Sequence, residues 1–334
     1  MLVRYVGRRL LLMVPVALGV TLLVFFSIHM VPGSPAYTFL GPHASHKAVA
    51  AFNQEWGLNR SLPVQYWLFL DRLFHGNLGD SLFYQSSVTS LIATRVPVTL
   101  SLLTGGAVLS VLIAVPFAAL AATHPGKLID QVIRFTSTAG LGMPSFWIGT
   151  TLIILLGLVF PLFPVGGYGN GLWGHVDSMF LPCLTIAISI APTLLRSLRT
   201  SLIDALGSDY VAFARAKGVS ARTVLYKYGF RNATISAVSV LGINIGFLVG
   251  GTVVIENVFA LPGLGQLMIT SILDRDFPIV QGITLIFSVI VILVYLLTDV
   301  AYALLDPRVR LGCPPSWPPP NAPIDASSAV PPRR

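Results

Sequence analysis

Three long stretches of this chain contain no Asp, Glu, Lys or Arg, and they constrain its fold more than any other feature of the sequence. They are residues 10–46, 96–126 and 135–176, and within the first of them Leu10–Val31 is almost wholly apolar. A helix needs about 20 apolar residues to cross the hydrocarbon core of a bilayer. Each stretch can therefore hold a membrane span, and the chain is predicted to be an integral membrane protein.

The composition of the 334-residue chain agrees with this prediction. Only 10% of its residues are charged and 54% are hydrophobic, whereas a soluble globular protein carries about 25% charged residues. So few ionic side chains exclude a soluble enzyme, a disordered protein and a disulfide-built secreted domain. In a membrane protein the net charge of +8 is explained by topology, so it does not indicate a nucleic-acid partner. Cys183 and Cys313 predict neither a disulfide nor a metal site.

The apolar segments predict an all-α, polytopic membrane protein with six transmembrane helices. The first span follows a cluster of arginines, as a secretory signal does, but its apolar run is longer than the roughly 7–15 residues of a signal core. It is therefore predicted to remain as an uncleaved helix. The six predicted spans are Leu10–Val31, Pro97–Thr123, Phe135–Phe160, Met179–Leu195, Ala233–Ile255 and Val280–Leu305.

The distribution of Lys and Arg predicts the orientation of these spans. With the N-terminus in the cytoplasm, the inner segments hold sixteen of the 21 Lys and Arg residues and the outer segments hold five. This asymmetry follows the positive-inside rule. Both termini are therefore predicted to be cytoplasmic.

The spans also predict how the chain is divided. Residues 1–31 form the N-terminus and first span, 32–96 an extracytoplasmic segment, and 97–310 a five-helix transmembrane domain. Apolar spacing across Val64–Phe74 predicts an amphipathic helix in the outer segment. Residues 311–334 contain eight prolines and predict a disordered cytoplasmic tail.

The loop Arg196–Asn232 is the most informative cytoplasmic segment. Ser208 is placed to cap a short helix, Gly218 to end it in a left-handed turn, and Ser220 to cap a second helix, Ala221–Tyr228, that runs into the fifth span. The loop has seven basic and two acidic side chains. Three interpretations are open: the charges only hold the loop inside, the loop docks a cytoplasmic partner protein, or it binds DNA as a helix-turn-helix. The last is disfavoured because spans tether both ends of the loop at the bilayer.

Asp209-Tyr-Val-Ala-Phe-Ala-Arg-Ala-Lys-Gly218, continued by Arg231-Asn-Ala233, resembles the EAA loop of bacterial ABC importer permeases, specifically the first permease subunit of the dipeptide/oligopeptide/nickel group. The resemblance covers roughly residues 1–310. Its other motifs are Arg4-Tyr5, Arg8-Arg9, Val31-Pro-Gly-Ser-Pro35, Asn77-Leu-Gly-Asp-Ser-Leu82, Met143-Pro-Ser-Phe-Trp147, Val258-Phe-Ala-Leu-Pro-Gly-Leu-Gly265 and Ala303-Leu-Leu-Asp-Pro-Arg308.

Two sequence features depart from this picture. The older consensus has Glu-Ala-Ala where this chain has Ala212-Phe213-Ala214, so a carboxylate contact to an ATPase cannot be transferred to it. Gly79-Asp80-Ser81-Leu82 spells the signature of an esterase family. No downstream Asp-x-x-His pair accompanies it in a soluble fold, so esterase activity is disfavoured.

The resemblance implies a translocation subunit of an ATP-driven importer in the bacterial plasma (inner) membrane. The implied partners are a second homologous permease, two ATP-binding subunits or a fused tandem ATPase, and an extracytoplasmic substrate-binding lipoprotein, all in a lipid membrane. No Walker motif is present, because the single Gly-Lys pair, Gly126-Lys127, lacks the phosphate-binding pattern. We therefore expect no enzyme activity and no cofactor on this chain, with ATP and Mg on the partner. The residues expected to couple to the ATPase are Asp209, Tyr210, Ala212, Ala214, Arg215, Ala216, Lys217 and Gly218.

Few ionisable groups lie at membrane depth: His29, Glu256 and Asp299. A structural role is favoured for each, and Glu256 is the best functional candidate of the three. Leu261-Pro-Gly-Leu-Gly265 is expected to break the helix after span 5, and Gln266–Leu273 can form a helix again. The resemblance implies that this segment helps to shape an outer gate; the alternative is an ordinary Pro-Gly turn. The candidate pathway and gate residues are Asn244, Glu256, Pro262, Gly263 and Gly265.

The favoured substrates are di- and oligopeptides. Glutathione, nickel complexes or another small solute are alternatives within the same machinery. A partner-independent secondary carrier is the alternative from another class, disfavoured because no inverted repeat is evident. No His, Asp or Glu cluster has metal-ligand or nucleophile spacing.

Overall fold

The computed structural model describes residues 2–29, 35–41, 43–55, 59–81 and 83–305, and within them the protein is almost entirely helical. One small antiparallel hairpin pairs β1 (Asp80–Ser81) with β2 (Ser86–Ser87). The predicted disordered tail and Cys313 lie outside the described residues. The helices are α1 (Leu2–His29), α2 (Pro35–Leu40), α3 (His46–Glu55), α4 (Leu62–Phe74), α5 (Val88–Thr123), α6 (Leu128–Leu141), α7 (Ser145–Leu152), α8 (Gly171–Leu206), α9 (Asp209–Ala216), α10 (Ala221–Thr223), α11 (Arg231–Val258), α12 (Leu264–Leu273) and α13 (Phe277–Leu305).

Several of these helices are long and apolar enough to cross a membrane. In the part of the chain that the structure describes, four such helices are Val88–Thr123, Gly171–Leu206, Ala221–Val258 and Phe277–Tyr302, and the bent pair α6–α7 makes a fifth if it counts as one span. Within α1, Leu11–Phe26 is a shorter apolar helix. The polytopic all-α class is confirmed, and the count of six spans stays a prediction.

The third predicted span, Phe135–Phe160, is wrong as a single straight helix. The chain leaves α6 at Leu141 and begins α7 at Ser145, and the two helices are bent by 105°. Pro144 precedes α7 in an extended conformation, with φ −61° and ψ 141°. A proline lacks the N–H that a continuous helix needs, and it forces the residue before it out of the helical region. The break is therefore a local consequence of Pro144, and α7 continues as a π-helical segment, Ile153–Val159.

The fourth predicted span is too short, because α8 runs from Gly171 to Leu206 instead of Met179–Leu195. Pro182 and Pro192 lie inside this helix and are buried. Helix α8 is the central helix of the bundle and packs along α5. At one crossing a Cβ added to Gly106 would lie 2.4 Å from Ile186 Cγ2. Only glycine lets the two helices approach this closely, as at many membrane helix contacts.

The predicted amphipathic helix is present as α4, and it packs against α1. Tyr66 Oη lies 2.8 Å from Thr21 Oγ1 and donates to the Leu18 carbonyl at 3.3 Å. The Tyr66 ring also makes an edge contact with Phe25, with centroids 5.4 Å apart. Helix α4 is thus fastened to the first helix.

Candidate functional site

The loop between α8 and α11 contains the predicted helix, glycine turn and second helix. Helix α9 is followed by Gly218, which has φ +81° and donates its N–H to the Arg215 carbonyl at 2.9 Å. After α10 the chain continues through a π-helical segment, Val224–Phe230, directly into α11. The left-handed conformation favours glycine because it has no Cβ. The loop is therefore one compact unit joined to a long apolar helix at each end.

The predicted capping role of the Ser220 hydroxyl is confirmed, whereas that of the Ser208 hydroxyl is wrong. The Ser220 hydroxyl accepts from the Thr223 N–H at 3.4 Å. Ser208 precedes α9 as predicted, but its hydroxyl donates to the Ala205 carbonyl at 2.6 Å and accepts no N–H of α9. A helix leaves the carbonyl groups of its last turn without partners inside the helix. The Ser208 hydroxyl donates to one of these carbonyls at the end of α8.

Helix α9 has a buried face and an exposed face. Val211 and Ala214 are buried, so Ala214 cannot offer a partner the close contact expected of it. Seven of the eight residues expected to couple to the ATPase are exposed: Asp209, Tyr210, Ala212, Arg215, Ala216, Lys217 and Gly218. Helix α9 and the residues directly after it therefore expose a surface of small and basic side chains.

Two exposed aromatic residues belong to this surface, Tyr210 from the predicted coupling set and Phe213 from outside it. Tyr210 is 44% exposed and Phe213 is 62% exposed. Lys217 Nζ lies 4.5 Å from the centre of the Phe213 ring, within cation–π range. The sequence pattern marked Phe213 only as a departure from the Glu-Ala-Ala consensus. Aromatic residues are enriched at protein interfaces, so an aromatic side chain within the loop motif is the signal that indicates it.

Helix α9 is also tied to the helix that follows it. Asn232 Nδ2 donates to Tyr210 Oη at 2.6 Å, and the Tyr210 ring lies 6.4 Å from the Tyr228 ring. Because α8 leads into α9 and Tyr210 joins α9 to α11, a push on α9 reaches both long helices. This arrangement suits the transmission of movement.

At the other end of α11, the Glu256 carboxyl group is fully buried and accepts three hydrogen bonds. Thr99 Oγ1 donates to Oε1 at 2.7 Å, while the N–H groups of Gly265 and Gln266 donate to Oε2 at 2.6 Å and 3.1 Å. The N–H of Leu264 donates to Thr99 Oγ1 at 2.9 Å. Glu256 and Thr99 therefore satisfy the first N–H groups of α12, whose N-cap residue, Gly263, has no side chain. This geometry supports the structural role for Glu256.

The glycines of this segment allow the close contact. A Cβ added to Gly263 would lie 2.3 Å from Glu256 Cδ, and one added to Gly265 would lie 2.4 Å from Val253 Cα. Pro262 is exposed at the turn before α12. The predicted helix break and re-formed helix are thus present, and Gly263 and Gly265 are packing positions.

Replacing Glu256 with alanine should lower stability, because the N–H groups of Gly265 and Gln266 would lose their acceptor in a buried place. We expect Glu256→Ala to cost about 3 kcal/mol and Glu256→Gln, which retains one acceptor oxygen, clearly less. Thermal unfolding of the detergent-solubilised protein measures the difference. Asn257→Ala, at the exposed neighbouring position, is the control. Equal melting of the Ala variant and wild type would contradict the capping role.

The far end of α12 is anchored to the β1–β2 hairpin. Ser81 Oγ donates to Asp276 Oδ2 at 2.5 Å, and Tyr84 N–H donates to the same hydroxyl. Ser81 is 2% exposed, so it is not accessible as an esterase nucleophile. Ser81 of this motif therefore attaches the hairpin to the segment that follows α12.

The remaining pathway candidate, Asn244, is not brought together with Glu256. It is half-buried in the middle of α11, and its Nδ2 donates to the Val240 carbonyl at 2.7 Å. Nearby, Gly246 allows close approach of α13, since an added Cβ would lie 2.8 Å from Tyr295 Oη. The side chain of His29 lies outside the described residues. A pathway role for Asn244 stays a prediction.

Sequence reasoning missed an ion pair between α6 and α8. Arg199 Nε and Nη2 donate to the two carboxylate oxygens of Asp130, each at 2.6 Å, and Gly126 N–H donates to Asp130 Oδ2 at 3.0 Å. The Asp130 side chain has no exposed surface and that of Arg199 is 18% exposed. The two residues are 69 positions apart, so no local pattern indicated the pair.

Breaking this pair should destabilise the fold strongly, because Arg199 would keep its charge without a partner. We expect Asp130→Asn to cost about 3–5 kcal/mol. The control is Asp71→Asn, whose carboxylate is exposed and lies 3.8 Å from His75; it should leave the melting temperature unchanged. If the two variants had similar melting temperatures, the ion pair would not stabilise the fold as expected.

Comparison with known proteins agrees with this geometry. A model of the "binding-protein-dependent transport system inner membrane component" family matches residues 114–311, and its N-terminal companion matches residues 1–103. The chain is 35% identical over 312 residues to the oligopeptide transport system permease protein AppB of Bacillus subtilis, covering 92% of this chain and 99% of that protein. It is 36% identical over 309 residues to the glutathione transport system permease protein GsiC of Salmonella choleraesuis, with the same coverage.

A solved structure shares the fold. The inward-facing MetNI methionine ABC transporter has a chain that aligns with 65% of this chain and 96% of its own length, with a TM-score of 0.54 and 17% identity. The fold and the loop thus define a translocation subunit of an ABC importer. The chain belongs to the family of binding-protein-dependent transport system inner membrane components, and it is a multi-pass inner membrane protein.

Proposed function

We propose that this subunit imports di- and oligopeptides and converts closure of partner ATPases into alternating access. The observation that carries the proposal is α9, with its exposed face of Tyr210, Phe213, Arg215 and Lys217 and its firm attachment to α8 and α11. An ATPase surface docking there would move both helices together. The likeness to an oligopeptide permease over nearly the whole chain supports the substrate class.

The proposed assembly contains a second homologous permease, ATP-binding subunits or one fused tandem ATPase, and an extracytoplasmic substrate-binding lipoprotein. ATP and Mg bind to the partners, and this chain has no ATPase site or enzyme activity of its own. Both termini and α9 face the cytoplasm, while α4, the hairpin and α12 lie at the outer end. The excess of Lys and Arg on the inner segments supports this orientation.

Glutathione is the second candidate substrate, because relatives named as glutathione permeases are as similar to this chain as the oligopeptide permease is. A tripeptide-sized solute fits the same machinery. Selectivity between the two resides largely on the binding protein in such a system, so the side chains described here do not separate them.

The test is to purify the tagged chain in gentle detergent together with its partners, identify them, and reconstitute the complex in liposomes with its binding protein. We expect ATP-dependent uptake of labelled di- or tripeptides, with unlabelled glutathione failing to compete. Uptake of glutathione without peptide uptake would replace the first substrate by the second. Uptake by the chain alone without ATP would contradict the proposed coupling.

A further inference from the structure

A polar cavity of about 430 Å³ lies between α6 and α8, near the end of α8 that leads into α9. The cavity includes neither α9 nor the α12 segment, although Arg196, Arg199 and Thr200 lie in the α8 part of the loop Arg196–Asn232. No carboxylate is among the described residues that line it. The cavity is lined by Arg134, Ser137, Thr138, Leu195, Arg196, Arg199 and Thr200.

The walls of the cavity are fixed at both ends. At one end Asp130 and Arg199 form the buried ion pair that joins α6 to α8. At the other end the helices come close again, since a Cβ added to Gly140 would lie 3.4 Å from Pro192 Cγ. Between these two contacts the helices leave a space that is held open by the fold.

The charge inside the cavity is not balanced. Arg199 is neutralised by Asp130, whereas Arg134 and Arg196 are exposed and form no ion pair within the described residues. Two positive charges therefore remain beside the Thr138 hydroxyl, while the Ser137 hydroxyl donates to the Ile133 carbonyl. Guanidinium and hydroxyl donors together form a typical site for phosphate oxygens.

We propose that this cavity binds the phosphate group of an anionic phospholipid. A free phosphate ion shares that chemistry, but the surroundings favour a lipid. Phe135 is 76% exposed beside Arg134, and Leu141 is 42% exposed two turns further along α6. These apolar side chains offer a path for acyl chains beside a polar headgroup site. Basic pockets between transmembrane helices on the cytoplasmic side bind such headgroups in other membrane proteins.

The site would act on the transporter through α8. Arg196, Arg199 and Thr200 lie within three turns of Leu206, where α8 ends and the connection to α9 begins. A headgroup bridging α6 and α8 would hold the base of the coupling loop in place. Besides binding in the cavity, anionic lipid is therefore expected to raise the rate of ATP-coupled transport.

The experiment uses the assembled complex, washed in detergent and reconstituted in nanodiscs containing phosphatidylglycerol and phosphatidylcholine, with the retained lipid measured by native mass spectrometry. We expect the double variant Arg134→Gln/Arg196→Gln to lose about 10- to 30-fold in retained phosphatidylglycerol, relative to phosphatidylcholine. The control Arg222→Gln/Lys227→Gln removes the same charge from the loop, away from the cavity, and should retain the lipid. Size-exclusion chromatography confirms that each complex remains assembled.

A second variant tests the cavity without changing its charge. Thr138→Phe fills the space and leaves all three arginines, so it should also displace phosphatidylglycerol. Unchanged retention in both variants would overturn the proposal, as would equal loss of both lipids, which would indicate general annular contact. In a third arm inorganic phosphate replaces lipid in a thermal-shift assay. If phosphate stabilised the protein through these arginines while both variants still retained phosphatidylglycerol, the site would bind free phosphate. That result would overturn the lipid proposal.

Discussion

Gly218→Val should reduce substrate uptake by roughly tenfold or more while leaving much of the ATP hydrolysis of the assembled complex, because the left-handed turn costs a residue with a Cβ about 1–2 kcal/mol. Gly218 has φ +81° and no heavy atom within 4 Å of an added Cβ. The variant therefore introduces backbone strain without a steric clash. Relief of that strain displaces the end of α9, where the ATPase is proposed to dock. ATPase activity and uptake measured in the same proteoliposomes separate coupling from assembly.

Gly76→Val is a matched control for this experiment. Gly76 follows α4 as Gly218 follows α9: its φ is +71°, its added Cβ meets nothing within 4 Å, and its N–H donates to the Leu73 carbonyl at 3.0 Å. The two variants carry the same strain at the end of a helix. Only the Gly218 variant should uncouple hydrolysis from uptake. Normal transport by that variant, or an equal loss in both, would contradict the assignment of α9 as the coupling helix.

Gly265→Ala should destabilise the protein by about 1–3 kcal/mol and reduce transport, since overpacking forces neighbouring atoms to move. The added Cβ would lie 2.4 Å from Val253 Cα and 2.9 Å from Val253 N. These are backbone atoms of α11, so no side-chain rotation relieves the contact. Helix α12 would have to shift away from Glu256 and lose its N-terminal hydrogen bonds. Thermal unfolding and uptake measure the two effects.

Gly250→Ala, on the neighbouring helix α11, is expected to have the opposite effect on stability. An added Cβ at Gly250 meets no atom within 4 Å, and alanine is a better helix former than glycine by roughly 1 kcal/mol. Its melting temperature should be unchanged or slightly raised. If Gly265→Ala melted like Gly250→Ala, the close contact between α11 and α12 would not be what holds α12 in place.

Local patterns in the sequence predicted the parts of this protein that depend on a few neighbouring residues. The turn at Gly218, the cap at Ser220, the amphipathic helix α4 and the helix break at Pro262 and Gly263 are all present. Each is decided by the backbone preferences of glycine and proline, by a nearby hydroxyl group, or by apolar spacing along one helix. Pro144 interrupts the third predicted span, but its sequence neighbours do not reveal that the bend reaches 105°.

Long apolar segments by themselves determined that this chain is a polytopic helical membrane protein, because transfer to lipid requires apolar side chains and internally satisfied backbone groups. Which residues meet across the bundle was decided only by the tertiary structure. Glu256 meets Thr99 and the N-terminus of α12, Ser81 meets Asp276, and Asp130 meets Arg199, at separations from 69 to 195 residues for the side-chain pairs. These contacts depend on how helices pack, and no local pattern records which helices become neighbours.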